Sequence, residues 1–542
     1  MDCKQKFFFI FILCISLCLV QRSSAAKYDK LFDRPTHYPG FKPPVTSPNN
    51  MTYFVRAKTK SNTLLCNYEI AVYDEQNNMR ATGRSISSQR ELCTLTIRGE
   101  QGEKLHFEII YGDFEHPMII PAEEMAVFEI NDVQGDIDNP FYLTFTAPTV
   151  KYWNNDVQGT ANGIVEITEG MPDLKDALRV ELSDNWTGCG LCNLFSNCNS
   201  LLYVSFLSMP ETTTEDFNSA NPNCLKFLPP AVDNAPEGWT NCISADNKAL
   251  TDIHLTDGSP EMPHDYYCPA DISLNGYQAA FSRSGNWLYA NGKGGWNTLL
   301  LPFDAILEAD GTEVVPLPTL NLGTDSEETK DLWKKSGGYW ACSFASFTDN
   351  ALTFSEPLSS TEHIKANTPY LFAVPNHQFK RDIDGFTYSL DMENKTIVFV
   401  NTTDVLPATP QLLCGMANAE AAHCMLGTFS NLRKKEMYLL SNNYTAEGKD
   451  AFVYAAAGNL LPFRAYVSCP EAATSAPKAL MVHIESDNST DIRDLLVEDV
   501  QNHSIYDLSG KKRSSSLYYP PQTGIVIKDK KKMMNVTHGI KQ

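Results

Sequence analysis

Long apolar runs are scarce in this 542-residue chain. Beyond residue 20 no stretch approaches the roughly 18 uninterrupted apolar residues of a membrane helix, which excludes a helical span. Helical periodicity is equally thin, since no long amphipathic pattern stands out. Positive charge is in deficit: 44 Lys and Arg face 65 Asp and Glu, a net charge of -21. Nothing in that balance offsets phosphate repulsion, so nucleic acid is excluded as a partner. Cysteine is sparse too. Of 15, Cys3, Cys14 and Cys18 lie in the first 26 residues, and the other twelve are too dilute for a disulfide scaffold.

Catalytic signatures are also missing. There is no Gly-x-Ser-x-Gly elbow and no His-Glu-x-x-His pair. Gly292-Lys293-Gly294-Gly295 lacks the frame of a phosphate loop and reads as a hairpin turn. Cys189-Gly190-Leu191-Cys192 has dithiol spacing, but its flank is polar and no buried strand precedes it. Cys198 could join that pair in a zinc half-site, yet His254 and His264 lack ligand spacing. His423 beside Cys424 carries no protease frame. Asp132, Asp136 and Asp138 are oxygen donors close in sequence without a calcium-loop frame, and read as a solvated turn. Trp153, Trp186, Trp239 and Trp296 are able to stack on sugar rings if exposed, with core packing as the default. We therefore assign no catalytic, cofactor or metal residue from sequence and expect no cofactor.

What is present begins with an address. Lys4 and Lys6 precede the apolar stretch Phe7 to Val20, and Ser24-Ala25-Ala26 supplies small residues for cleavage, so residues 1–26 read as a secretory signal. An exported chain permits disulfides. Cys66 and Cys93 fall on neighbouring expected strands and are placed either to pair or to serve as small buried hydrophobes.

Residues 27–50 form a Pro-rich leader. From 51 to 150, short period-two runs such as Tyr68 to Tyr73, Cys93 to Ile97, Leu105 to Tyr111 and Phe141 to Phe145 predict an antiparallel β-sandwich. Residues 151–220 read as linker mixed with short helix, with one leucine-rich-repeat-like unit over Leu194 to Phe206. Residues 221–485 read as a large β-rich domain. Its strands include Trp296 to Phe303, Thr368 to Val374, Lys395 to Val400, Met437 to Leu440 and Pro462 to Val467. Residues 486–542 predict a small β-domain, and from Ile505 onward they carry +6, so the body carries about -29. The expected fold class is mainly β: a multidomain chain of antiparallel β-sandwich modules with a small C-terminal β-domain.

Several segments resemble a group of exported Bacteroidetes surface proteins. They are Asn221-Pro222-Asn223-Cys224-Leu225, Leu255-Thr256-Asp257-Gly258, Tyr267-Cys268-Pro269, Gly295-Trp296-Asn297-Thr298 through Leu301-Pro302-Phe303-Asp304, Ala366-Asn367-Thr368-Pro369-Tyr370-Leu371, and Pro462-Phe463-Arg464-Ala465-Tyr466. The tail, Ser504-Ile505-Tyr506-Asp507-Leu508-Ser509-Gly510 and Gly524-Ile525-Val526-Ile527-Lys528, is similar to the C-terminal domain that directs cargo through type IX secretion. Val526 stands where an aromatic is usual, and Met533 to Gln542 run past the expected end. The resemblance implies export to the cell surface or beyond, with the export machinery as one partner through the C-terminal domain. Little follows from it about activity. The sequence favours a non-catalytic role in binding or adhesion to an extracellular macromolecule or glycan. The alternative is a secreted hydrolase whose carboxylate or Cys site carries no motif.

Overall fold

Alternation of apolar and polar residues marks several of the first eight strands. In β1 (Asn50–Thr59) every second residue from Met51 to Thr59 is buried, and β5 (Lys104–Gly112) starts on the same alternation. The computed structural model describes residues 48–485 with short interruptions, the longest at 284–295. It also describes four strands beyond them: Ile505–Asp507, Lys512–Arg513, Gly524–Lys528 and Lys531–Asn535. The expected signal, residues 1–26, lies outside the described residues. Strands make up nearly all the regular secondary structure, with one helix, Glu327–Lys334, among the described residues, so the protein is mainly β. It divides into two units, Met1–Ala220 with Lys226–Trp239, and Asn221–Leu225 with Thr240–Gln542.

In the first unit, β2 (Glu69–Asp74), β3 (Met79–Ile86), β4 (Gln89–Arg98) and β6 (Pro117–Val127) join β1 and β5 in the order β6-β5-β2-β3-β4-β1. Next to β1 lie β7 (Val133–Gln134) and β8 (Phe141–Phe145), both parallel to it. The ends of this sheet meet. The Thr144 amide of β8 donates to the Glu124 carboxylate of β6.

Two polar devices fix the module. The Tyr68 ring is fully buried, and its hydroxyl accepts the Ala57 amide (3.2 Å) while lying 2.7 Å from the Glu91 carbonyl and 3.2 Å from that of Val55. It stands where the β1–β4 ladder ends at Val55 and Cys93, and it satisfies backbone groups the ladder no longer reaches. Tyr68→Phe is expected to lower stability by about 1–2 kcal/mol, because those groups stay buried without the hydroxyl. Urea unfolding monitored by circular dichroism measures it, and an unchanged midpoint would contradict the assignment.

At the β2–β3 turn, buried Asp74 accepts the amides of Gln76 and Asn78 (both 2.8 Å), Asn78 Nδ2 (2.9 Å) and Arg80 Nη2 (2.7 Å). Arg80 also donates to Glu103, tying this turn to the β4–β5 connection. Cys93 is a buried free thiol, not half of a disulfide with Cys66. A Cβ on Gly83 of β3 would come within 3.0 Å of its sulfur, so the thiol fills the space that this glycine leaves.

The stretch 151–220, expected as linker with short helix, instead contributes short strands to a sheet, joined by turns. β9 (Thr149–Trp153) pairs antiparallel with β10 (Gly163–Glu166) and β11 (Arg179–Leu182). β11 pairs in parallel with β12 (Tyr203–Phe206), Arg179 opposite Tyr203. Between those two strands Leu191, Leu194, Phe195, Cys198 and Leu201 are buried. These strands are only four or five residues long and are separated by Asn- and Gly-rich turns, which hides their period. The Arg179 guanidinium lies 3.9 Å from the Trp153 ring and 5.2 Å from that of Tyr203, a cross-strand stack on one face.

The second unit holds two larger sheets. One runs in the order Ile253–Thr256, Ala279–Ser282, Ile397–Asn401, Ala305–Ala309, Thr312–Val314. The other has nine strands, from Asn297–Leu299 through Tyr370–Ala373 and Trp340–Thr348 to Arg464–Ser468 and Met425–Thr428. Phe281 against Phe463 (4.6 Å) and Phe372 against Phe399 (5.5 Å) pack across from one sheet to the other. Trp296, Trp333 and Trp340 are wholly buried in the core. Pairing is mostly antiparallel. Two exceptions are the parallel pairs Ile253–Thr256 with Ala279–Ser282, and Ala351–Phe354 with Ala479–Ile484. Parallel neighbours need a crossover, and the first of these crossovers, 257–278, carries the buried charge described next. The C-terminal strands form a separate sheet in the order Lys512–Arg513, Ile505–Asp507, Gly524–Lys528, Lys531–Asn535.

Candidate functional site

Several of the segments singled out in the sequence meet in one buried polar knot. Asp257 is fully buried, and its Oδ2 lies 3.1 Å from Arg283 Nε and 3.3 Å from Arg464 Nη2. Arg283 Nη2 donates to the Thr298 carbonyl (3.2 Å), and Thr298 Oγ1 accepts the Ala465 amide (3.0 Å). Asn223 Nδ2 donates to the carbonyls of Thr256 (2.8 Å) and His264 (2.7 Å), and its Oδ1 accepts the Thr256 amide. Nearby, Asp304 accepts Lys365 Nζ and the Ala366 amide, while the Asn367 amide donates to the Leu301 carbonyl.

Backbone geometry reinforces the knot. Gly258 has φ +74, and a Cβ there would stand 2.3 Å from the Met262 carbonyl oxygen, so only glycine fits. Phe463 holds φ +60, a costly conformation for an aromatic residue. Its ring is fixed by Phe281 and Phe429, and its amide by the Thr428 carbonyl (2.8 Å). Burial pushes the His264 imidazole below its ordinary value, with the Asp257 charge opposing. Burial pushes the Asp265 carboxyl up, opposed by the hydrogen bond from the Asn431 amide. A carboxylate shared by two guanidiniums and closed to solvent cannot meet a substrate. The knot pins the crossover 257–278 to the strand Arg464–Ser468, and sequence reasoning missed it because Asp257 and Arg464 are 207 residues apart.

The other residues weighed from sequence fall out as follows. Cys189, Cys192 and Gly292 to Gly295 lie outside the described residues. Cys198 is a buried thiol whose pKa burial pushes up to about 12, the reverse of a reactive thiolate. His423 packs its ring on Phe347 (4.3 Å) and Tyr438 (5.6 Å), and buried Cys424 faces Ser468 across the sheet with Sγ to Oγ at 3.7 Å. Asp136 accepts the amides of Asp138 and Asn139, closing an exposed turn. Among the described residues no three His, Cys, Asp or Glu side chains are grouped to hold a metal ion. Trp153, Trp186, Trp239 and Trp296 are all buried core residues.

The surface feature that stands out lies at one end of the N-terminal module. Met125, Val127, Ile130, Val133 and Ile137 are 64, 49, 42, 57 and 53% exposed. Met125 and Val127 alternate with buried Ala126 on β6, the outer strand of its sheet, so both project outward. The loop that follows is held in place. The Ile130 amide donates to Gln101 Oε1 (3.0 Å), Gly102 N to the Phe128 carbonyl (2.9 Å), and Asn131 N to the Asn50 carbonyl (2.8 Å). The buried Phe128 ring anchors it from below. Single exposed aliphatics are ordinary, but five within thirteen residues on pinned backbone are an unusual concentration of apolar surface. The same stretch, 121–138, holds six carboxylates (Glu123, Glu124, Glu129, Asp132, Asp136, Asp138) and no Lys or Arg. No family model, curated protein or solved structure matches this chain.

Proposed function

We propose that the chain is an exported, non-catalytic β-protein, carried on or released from the cell surface, that binds an extracellular macromolecule through the apolar, acid-rimmed end of its N-terminal module. The observation carrying this reading is the run of exposed aliphatics from Met125 to Ile137 on backbone that side-chain and main-chain hydrogen bonds hold in place. A preformed apolar patch with a polar rim is the anatomy of a protein contact. The burial of Trp153, Trp186, Trp239 and Trp296 removes these four as platforms for sugar rings, which supports a protein ligand. The expected signal sequence and the type IX-like tail support the compartment.

The test is binding of the mature chain to arrays of extracellular-matrix proteins and of glycans. Binding to protein spots is expected, and Ile130→Glu is expected to weaken it about tenfold or more, because a charge is then desolvated in the contact. The substitution sits on an exposed loop and leaves the fold intact, which circular dichroism checks. Blank arrays together with turnover of a polysaccharide would sink this reading in favour of a secreted hydrolase.

A further inference from the structure

The chain enters the N-terminal module through the apolar end itself. The Asn50 carbonyl accepts the Asn131 amide (2.8 Å), and the Thr52 amide donates to the Asp132 carbonyl (3.0 Å). Thr52 stands opposite Val133 where β1 meets β7, and the Glu129 amide lies 3.5 Å from Met51 Sδ. The chain that precedes Asn50 therefore starts beside Ile130 and Val133, which are 42 and 57% exposed. That preceding stretch, residues 27–47, lies outside the described residues, but its composition suits the surface where it ends. It carries Tyr28, Leu31, Phe32, Tyr38, Phe41 and Val45, more large apolar side chains than a merely solvating tail needs. It also holds Pro35, Pro39, Pro43 and Pro44. Each proline fixes one backbone angle in advance, so less freedom is lost when the segment is laid on a surface.

We propose that the leader, residues 27–47, folds back over the Met125 to Ile137 surface of its own module and covers it until a partner displaces it. The inference rests on the reading of that end as a contact surface and names its resident occupant. Reach is ample. Extended proline-rich chain spans about 3.1 Å per residue, so Pro35 to Ser47 alone cover roughly 40 Å, and every member of the patch lies within seven residues of Ile130. Tethering supplies the rest. A segment fastened this close to its site acts at an effective concentration on the order of millimolar, so a contact too weak to hold a free peptide is still mostly made. Aliphatic patch and aromatic leader then bury each other, which removes from water the exposed apolar surface. A partner from outside competes with the leader, and a chain without the leader binds that partner more tightly.

Fluorescence anisotropy of a labelled peptide of residues 27–47 tests this on three proteins. They are the chain from residue 27, the chain from residue 48, and the chain from residue 27 carrying Phe32→Glu/Phe41→Glu. The last two are expected to bind the peptide saturably. The first is expected to bind it about tenfold more weakly or worse, because its own leader fills the site. Ile130→Glu in the chain from residue 48 is expected to cost the peptide about tenfold or more. Binding to the matrix-protein array follows the same order, with the two uncovered proteins about tenfold tighter than the covered one. The doubly substituted chain keeps every described residue, so the result does not hang on a truncation, and circular dichroism checks all three folds. A peptide that binds none of them overturns the proposal, as does one that binds the Ile130→Glu protein as well as its parent. So does a chain from residue 27 that sediments as a dimer while the chain from residue 48 is a monomer, since the leader would then cover a second copy. If array binding needs Ile130 but is the same with and without the leader, only the cover fails. If Ile130→Glu changes neither peptide nor array binding, the contact-surface reading fails with it.

Discussion

Replacing Asp257 with asparagine is expected to destabilise the C-terminal unit by about 3–5 kcal/mol, the cost of leaving a buried ion pair without one partner. The carboxylate is wholly buried and faces two guanidiniums, of which Arg283 is itself buried to 4% side-chain exposure. An asparagine of nearly the same shape keeps the packing and removes the charge, so the loss reports electrostatics and not a cavity. Amide exchange localises it. The strands Ile253–Thr256, Asn297–Leu299 and Arg464–Ser468 are expected to lose protection, while β1 to β5 keep theirs. A triple replacement of Asp257, Arg283 and Arg464 by apolar residues of similar size is expected to cost less than the single one, since no charge is left stranded. Equal losses in the single and triple variants would mean that the knot acts through packing alone.

The N-terminal module depends on a second carboxylate. Asp74→Ala is expected to cost about 2–3 kcal/mol, because it strips acceptors from two turn amides and from the Arg80 guanidinium. Burial pushes the Asp74 carboxyl up, but the hydrogen bonds from Asn78 and Gln76 and the Arg80 charge outweigh it and hold the group below its ordinary 3.8. A folded value below the unfolded one means that its stabilising contribution is complete above about pH 4. That contribution is lost as pH falls through the folded value. The wild-type module should therefore show an acid-induced decline that Asp74→Asn lacks. Parallel slopes for the two proteins below pH 4 would remove Asp74 as the cause.

Strand-level features were largely legible because burial on one face writes itself as period two. Tyr68 to Tyr73, Leu105 to Tyr111 and Phe141 to Phe145 became β2, β5 and β8. The strands Tyr370–Ala373, Ile397–Asn401, Met437–Ser441 and Arg464–Ser468 fell within or across the expected runs. The helix Glu327–Lys334 escaped because eight residues give barely two turns, although Ser326 accepting the Thr329 amide and acidic Glu327 and Glu328 in its first turn were readable signals. Of the strands of 149–206, Tyr203–Phe206 lies within a run that reads as strand, and the others escaped for the same reason of length. The knot could not be found by motif, since its three charged members come from segments with no common spacing. Asn223, Asp257 and Arg464, which stand in three of the segments singled out from sequence, are part of this folded framework. The apolar end was hidden for a different reason. Met125 and Val127 alternate like core residues, and only the folded structure shows that their face of β6 is the outer one.

The contact between Glu124 and the Thr144 amide has a consequence for life at high density. Any foreign strand seeking to extend this sheet past β8 must first evict a carboxylate from the amide it would use, and then desolvate that carboxylate. A module guarded in this way resists fusing edge to edge with another copy at this seam even when concentrated.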